Sequence, residues 1–170
     1  MKSRSTIPAN LSGNRLVHYL AFGFGAGYAP VAPGTFGTLV AIPIYLLLKD
    51  TPAYVYLLTV AGMFGLGVWL CALTERDLGV HDHSGIVWDE IVGYLITMFM
   101  APVGWGWIVV GFLLFRLFDI WKPFPIRALE RQIQGGFGNM FDDALAGFYS
   151  LVVLQVLSRY NEEFLRWLQR

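Results

Sequence analysis

TPAYVYLLTVAGMFGLGVWLCALT, residues 51–74, runs for 24 residues without a single charge. A helix rises about 1.5 Å per residue, and about 20 apolar residues cross the roughly 30 Å hydrocarbon core of a bilayer. This stretch is therefore long enough to span. A second uncharged run, residues 91–115, has 25 residues but is interrupted by APVGWGW at 101–107. That Pro-Gly turn signal, flanked by tryptophans suited to a membrane interface, splits the run into two short helices, tilted or partly buried in protein. Residues 36–48 and 144–157 give apolar runs of 13 and 14 residues, a length that also suits core or re-entrant helices. The expected fold is all-α: a multi-pass membrane bundle of four to five short helices, five on a direct count.

Composition agrees. The 170 residues are 56% hydrophobic and 14% charged, against roughly 25% charged in soluble domains, and mean hydropathy is +0.55. Twelve basic residues balance twelve acidic ones, so no polyanion-binding footprint exists and nucleic acid is excluded as a partner. Cys71 is the single cysteine, which excludes an intrachain disulfide, a cysteine zinc cluster and a Cys-x5-Arg phosphatase loop. Residues 1–15 carry Lys2, Arg4 and Arg15 and read as a cytoplasmic tail, with no cleaved signal expected after them. Residues 16–157 form the membrane-embedded domain and residues 158–170 an amphipathic C-terminal tail.

With the N-terminus inside, Arg76, Arg116, Lys122, Arg127 and Arg131 all fall in cytoplasmic segments, while Lys49, beside Asp50, faces out. That topology places a glycine-rich segment (23–38), an acidic loop (75–90) and a basic then acidic loop (116–143) on one membrane face.

Six acids gather there: Asp82, Asp89, Glu90, Asp119, Asp142 and Asp143. A charge bordering a membrane segment costs on the order of 2.5–3.5 kcal/mol on insertion scales and usually faces a partner or a functional cavity. Helix capping accounts for one acid of each adjacent pair, with Asp89 and Asp142 as caps. It does not account for the other, because consecutive helical residues point about 100° apart. Glu90 and Asp143 then aim sideways, as hard oxygen ligands of a cation such as Mg²⁺ would. Gly93 and Gly147 lie one turn further on and leave room for close approach. IVWDEIVG (86–93) and NMFDDALAG (139–147) thus repeat one pattern.

FRLFDIWKPFPIR (115–127) sets Arg116, Asp119 and Lys122 at successive i,i+3 positions before two prolines. An ordinary salt-bridge ladder is one reading; a phosphate clasp of Arg116, Lys122 and Arg127 is the other. In GFGAGYAPVAPGTFGT (23–38) there is no nucleotide-binding G-x-x-x-x-G-K-[ST]. A kinked start to the membrane domain explains it most simply, with Thr35 as a further phosphate-binding candidate. His81 and His83 lack an obvious third metal ligand. Gly135, Gly136 and Gly138 read as a flexible approach that lets the backbone pass close to a bound group.

GFGAGYAPVAPGTFGT, GVHDHSGIVWDEIVG, FRLFDIWKPFPIR and GGFGNMFDDALAG, in this order, resemble the motifs of the phosphatidylglycerophosphatase A family over residues 16–157. The resemblance implies a multi-pass enzyme of the bacterial inner membrane with its site facing the cytoplasm. Its expected reaction is Mg²⁺-dependent hydrolysis of the terminal phosphate of phosphatidylglycerophosphate by metal-activated water, giving phosphatidylglycerol and inorganic phosphate. Carried over by position, Asp89, Glu90, Asp142 and Asp143 are the expected catalytic acids and metal ligands, with Asp119 a further ligand or the orienter of Arg116. Asp82 is a weaker candidate. The partner is the phospholipid and its bilayer, with no nucleotide. An ion path through the acids, or a scaffold in which they form structural ion pairs, are the competing functions.

Overall fold

The computed structural model describes residues 14–168 apart from Asp82, with side chains described as far as residue 160. Eight helical segments follow in order: α1 (Arg15–Ala21), a 3-10 segment (Gly23–Tyr28), α2 (Pro33–Leu48), α3 (Ala53–Leu78), α4 (Trp88–Thr97), α5 (Trp105–Trp121), α6 (Ile126–Gln132) and α7 (Gly135–Leu168). The five expected helices are present, and α1, the 3-10 segment and α6 are added to them. Nearly all of the expected N-terminal tail lies outside the described residues, as do most side chains of the expected amphipathic tail, whose backbone simply prolongs α7.

Local chemistry sets the boundaries. Pro33 opens α2, where its missing N–H costs nothing. Gly79 closes α3 in the left-handed conformation at φ 64°, the usual glycine role at a helix C-terminus. The Pro-Gly signal at 101–107 does divide α4 from α5, with Gly104 at φ 136°. Lys122 turns left-handed after α5, ahead of Pro123.

The largest departure from expectation is α7. The run of 14 apolar residues is not a separate helix, because the helix starts at Gly135 and passes straight through both aspartates. Asp142 and Asp143 are therefore interior helical residues and cap nothing. Asp89 is no cap either, since Val87 holds that position and Asp89 sits in the first turn of α4. Each aspartate of the leading pair instead accepts a bond from the next residue's amide: Asp89 Oδ1 from Glu90 N at 3.2 Å, Asp142 Oδ1 from Asp143 N at 3.1 Å.

α4 is the hub. All of its ten residues except Ile96 are buried, and it packs against α2, α3, α5 and α7. At about 15 Å it is too short to cross a bilayer, so it lies inside the bundle. A Cβ placed on Gly147 of α7 would stand 2.3 Å from the Gly93 carbonyl oxygen, and one on Gly93 would stand 2.7 Å from that of Asp143. Small residues that let backbones touch are the usual basis of tight helix pairs in membranes. Further along, Thr97 Oγ1 donates to Gly147 O at 3.4 Å, and Gln155 Nε2 donates to Phe99 O and Met100 O at 3.1 and 2.9 Å. Contacts thus run in the same order along both helices. α4 and α7 are parallel, which brings their acid pairs to the same end of the bundle.

Two glycines of the GGFG segment serve close packing. A Cβ on Gly136 would lie 2.2 Å from Val68 O, and one on Gly138 2.3 Å from Ile133 O. Gly136 and Gly138 thus seat the start of α7 against α3 and against the preceding turn, whereas a Cβ on Gly135 would meet nothing within 4 Å.

α3 and the Gly135–Tyr160 part of α7, 26 residues each, are long and apolar enough to cross a membrane. α2 and α5 have 16 and 17 residues, about 24–26 Å of helix. Leu57, Leu58 and Trp69 on α3, and Val109, Leu113 and Leu117 on α5, are exposed. An apolar outer face of this kind suits lipid contact better than water. Inside, Tyr56 and Tyr94 donate to Leu95 O and Ile108 O at 2.6 and 3.1 Å, tying α3 and α5 to α4. Each such bond contributes about 0.5–1.5 kcal/mol and would cost more if left unmade.

Candidate active site

The starts of α2, α4 and α7 and the ends of α3 and α5 meet at one end of the bundle. The first turn of α4 contributes Asp89 and Glu90, and the third turn of α7 Asp143. One carboxylate oxygen from each lies within 4.8 Å of the others, and all three residues are buried. Two ligands of one hard cation, each at about 2.0–2.6 Å, are separated by no more than roughly 4–5 Å. The triad meets that limit. Asp143 is 1% exposed, and its Oδ2 has no hydrogen-bond partner among the described residues. Such an atom, ringed by the charges of Asp119, Asp89, Asp142 and Glu90, is where a cation would relieve repulsion and satisfy a buried acceptor.

The other expected ligands are held differently. Asp119 takes a charge-assisted bond from Arg116 Nη1 at 2.5 Å, as the i,i+3 spacing predicted. Lys122 does not continue that ladder to Asp119. Because the chain turns left-handed at Lys122, the ammonium swings away from α5 to Asp142 of α7 and to Glu130 Oε1 of α6, the latter at 2.9 Å. Burial opposes the Lys122 charge, but Asp142, then Asp143, and the hydrogen bonds to Asp142 and Glu130 outweigh it, so its pKa ends above the ordinary range. For Glu130, burial pushes upward while the bond and charge of Lys122 hold the carboxyl below its ordinary value.

A cavity of about 850 Å³ opens over this arrangement. Of the expected residues, Glu90, Arg116, Asp119, Lys122 and Arg127 line it. Asp89, Asp142, Asp143 and Thr35 are absent from the lining. The Thr35 amide is spent on Ala32 O at 2.9 Å. Arg127 Nη2 donates to Trp121 O at 3.0 Å, which fixes the guanidinium at the rim. Asp82 lies outside the described residues.

Several residues of the site went unnoticed in the sequence. Gly34, also in the lining, is the clearest: a Cβ there would stand 2.2 Å from Glu90 Oε1 and 3.0 Å from Arg116 Nη1. Its missing side chain leaves room for α2 to lie over an acid and an arginine. Glu75 is buried at the end of α3, where its Oε1 receives Asn139 Nδ2 and meets His81 Nδ1, both at 2.8 Å. The histidine is thereby held at the cavity wall by a carboxylate. Asn139 stands one turn before Asp143, so its repeated motif offered a signal; Glu75 offered none beyond its charge at the end of an apolar run.

A family model described as "Phosphatidylglycerophosphatase A" matches residues 19–158. A phosphatidylglycerophosphatase A of Escherichia coli (strain K12) is 45% identical over 144 residues, covering 84% of each chain. One of Haemophilus influenzae is 46% identical over 140 residues, 81% of this chain and 86% of the relative. A Bacteroides thetaiotaomicron protein that carries the name "Putative phosphatidylinositol-3-phosphatase" is 41% identical over 147 residues, 79% of this chain and 88% of its own. No solved structure matches. The four motifs that the fold gathers at one end of the bundle lie inside the matched span, and the chain belongs to the phosphatidylglycerophosphatase A family.

Proposed function

We propose that the protein hydrolyses the terminal phosphomonoester of phosphatidylglycerophosphate, releasing phosphatidylglycerol and inorganic phosphate at the cytoplasmic headgroup level of the bacterial inner membrane. The observation that carries this reading is the buried triad of Asp89, Glu90 and Asp143 beside Arg116 and Lys122, under one cavity at one end of an apolar bundle. Acids that need a cation and bases that need an anion meet where a lipid presents its phosphate.

Asp89, Glu90 and Asp143 would hold Mg²⁺, a hard cation suited to carboxylate oxygens. When bound, the ion supplies charge neutralisation at the phosphoryl oxygens and a lowered pKa for water. The remaining chemistry belongs to the chain. Arg116, steadied by Asp119, offers its guanidinium to two phosphoryl oxygens, and Lys122 adds a point charge. Water adds to phosphorus, the bond to the glycerol oxygen breaks, and that oxygen leaves with a proton. Of the triad, Glu90 is the acid that lines the cavity, so it is the one facing the substrate.

Arg76, Arg116, Lys122, Arg127 and Arg131 sit at the cavity end, whereas Lys49 at the other end pairs with Asp50 at 2.9 Å; that asymmetry supports a cytoplasmic site. The acids cluster at this end instead of being spread through the bundle, which disfavours an ion path. A scaffold would use Asp119 and Asp142 as observed, and would leave Asp143 Oδ2 without purpose.

The test is phosphate release from phosphatidylglycerophosphate by the purified protein in detergent. Turnover is expected; folded protein that releases none would overturn the reading. Gly34→Ala should lower turnover about 10–100-fold with little change in unfolding temperature, because a displacement near 1 Å of Glu90 or Arg116 misplaces the reacting groups. Gly62→Ala, where a Cβ would meet nothing within 4 Å, should leave turnover alone.

A further inference from the structure

Beside the catalytic cavity lies a second groove of about 420 Å³. Trp121, Pro123 and Phe124 form its apolar side, and Lys122, Arg127 and Arg131 its basic side. The same three basic residues also line the cavity, so the two depressions share one cationic wall. No carboxylate lines the groove. Lys122 is committed to Asp142 and Glu130, but among the described residues Arg127 and Arg131 have no acidic partner. They stand at i,i+4 on α6, where two like charges repel mildly and a bound anion would reverse the sign. Trp121 and Phe124 are 61% and 84% exposed, an arrangement suited to the glycerol and upper acyl region of a lipid.

We propose that this groove receives the part of the substrate that is not cleaved: Arg127 and Arg131 hold the retained phosphodiester, and Trp121 and Phe124 hold the first carbons of the acyl chains. The proposal rests on the function given above. Phosphatidylglycerophosphate carries two phosphates joined through one glycerol, and adjoining sites with a common basic wall suit two anions at short separation. The groove then selects lipids that bear a phosphodiester behind the reacting monoester. It also keeps its hold on phosphatidylglycerol after the reaction, so that product competes with substrate.

The experiment measures inhibition of phosphatidylglycerophosphate hydrolysis by phosphatidylglycerol and, separately, by inorganic phosphate, in the wild type, Arg131→Gln and Arg131→Lys. Tryptophan fluorescence on titration with phosphatidylglycerol gives a binding readout that needs no turnover. Losing one charge-assisted contact should raise the phosphatidylglycerol constant about tenfold in Arg131→Gln. Arg131→Lys should recover most of the loss, and the phosphate constant should hold. An unchanged phosphatidylglycerol constant, or a parallel rise in both constants, would overturn the proposal. If the wild type shows no hydrolysis, the reading of the function falls, and fluorescence still decides the groove: binding weakened by Arg131→Gln supports it, binding indifferent to the change removes it.

Discussion

Replacing Asp143 by asparagine is expected to cut phosphate release by about 10³-fold or more, a loss of about 4 kcal/mol of transition-state stabilisation, while the fold survives. Asparagine keeps the shape of the buried side chain and removes one of the three acids able to hold a cation together. It also removes a negative charge from among those of Asp119, Asp89, Asp142 and Glu90. The metal-free variant should therefore unfold at the same temperature as the metal-free wild type or at a higher one, since the repulsion is reduced. Added Mg²⁺ should stabilise the wild type by mass action and the variant much less. Steady-state kinetics together with thermal unfolding in detergent separate this outcome from simple misfolding, in which activity and stability would drop together.

Gly147→Val should produce the opposite pattern. The new side chain would begin 2.3 Å from the Gly93 carbonyl oxygen, and the obstruction is backbone, which cannot rotate aside. α4 and α7 must then part. Overpacking of this kind costs typically 1–3 kcal/mol, and for a chain of 170 residues each kcal/mol lowers the unfolding temperature by about 2–4 °C. A fall of about 5–10 °C is expected, with activity lost alongside, because the parted helices carry Glu90 and Asp143. Gly65→Ala on α3 meets nothing within 4 Å and should be close to neutral in both measurements. Equal behaviour of the two variants would contradict the view that the α4–α7 contact assembles the site.

Both effects trace to features that the sequence displays with unequal clarity. The uncharged runs and the Pro-Gly break announce α3, α4 and α5, since hydrophobic length and turn residues are local signals. The echo of WDEIVG and FDDALAG announces that Glu90 and Asp143 are equivalent and that Gly93 and Gly147 lie behind them. What stays hidden is tertiary. Aspartates look like helix boundaries in a sequence, because an exposed interior aspartate is a poor helix former. Here Asp142 is held by Lys122 and Asp143 lies buried in the acid cluster beside α4, so α7 runs on through them. The route of Lys122 away from Asp119 depends on a left-handed turn that no pattern in FDIWKPFP specifies. Gly34 was indistinguishable from its glycine neighbours until α2 was seen lying across Glu90, and Thr35, the more chemical-looking residue, proved to spend its amide on a local turn.

Central to the account is that Asp89, Glu90 and Asp143 bind the divalent cation on which hydrolysis depends. The most direct test strips the purified protein with EDTA, removes the chelator, and follows phosphate release from phosphatidylglycerophosphate as Mg²⁺ is added back. The wild type should fall to background and recover saturably, and Asp143→Asn should fail to recover at the same concentrations. Full activity in EDTA, or recovery of Asp143→Asn along the wild-type curve, would contradict the account.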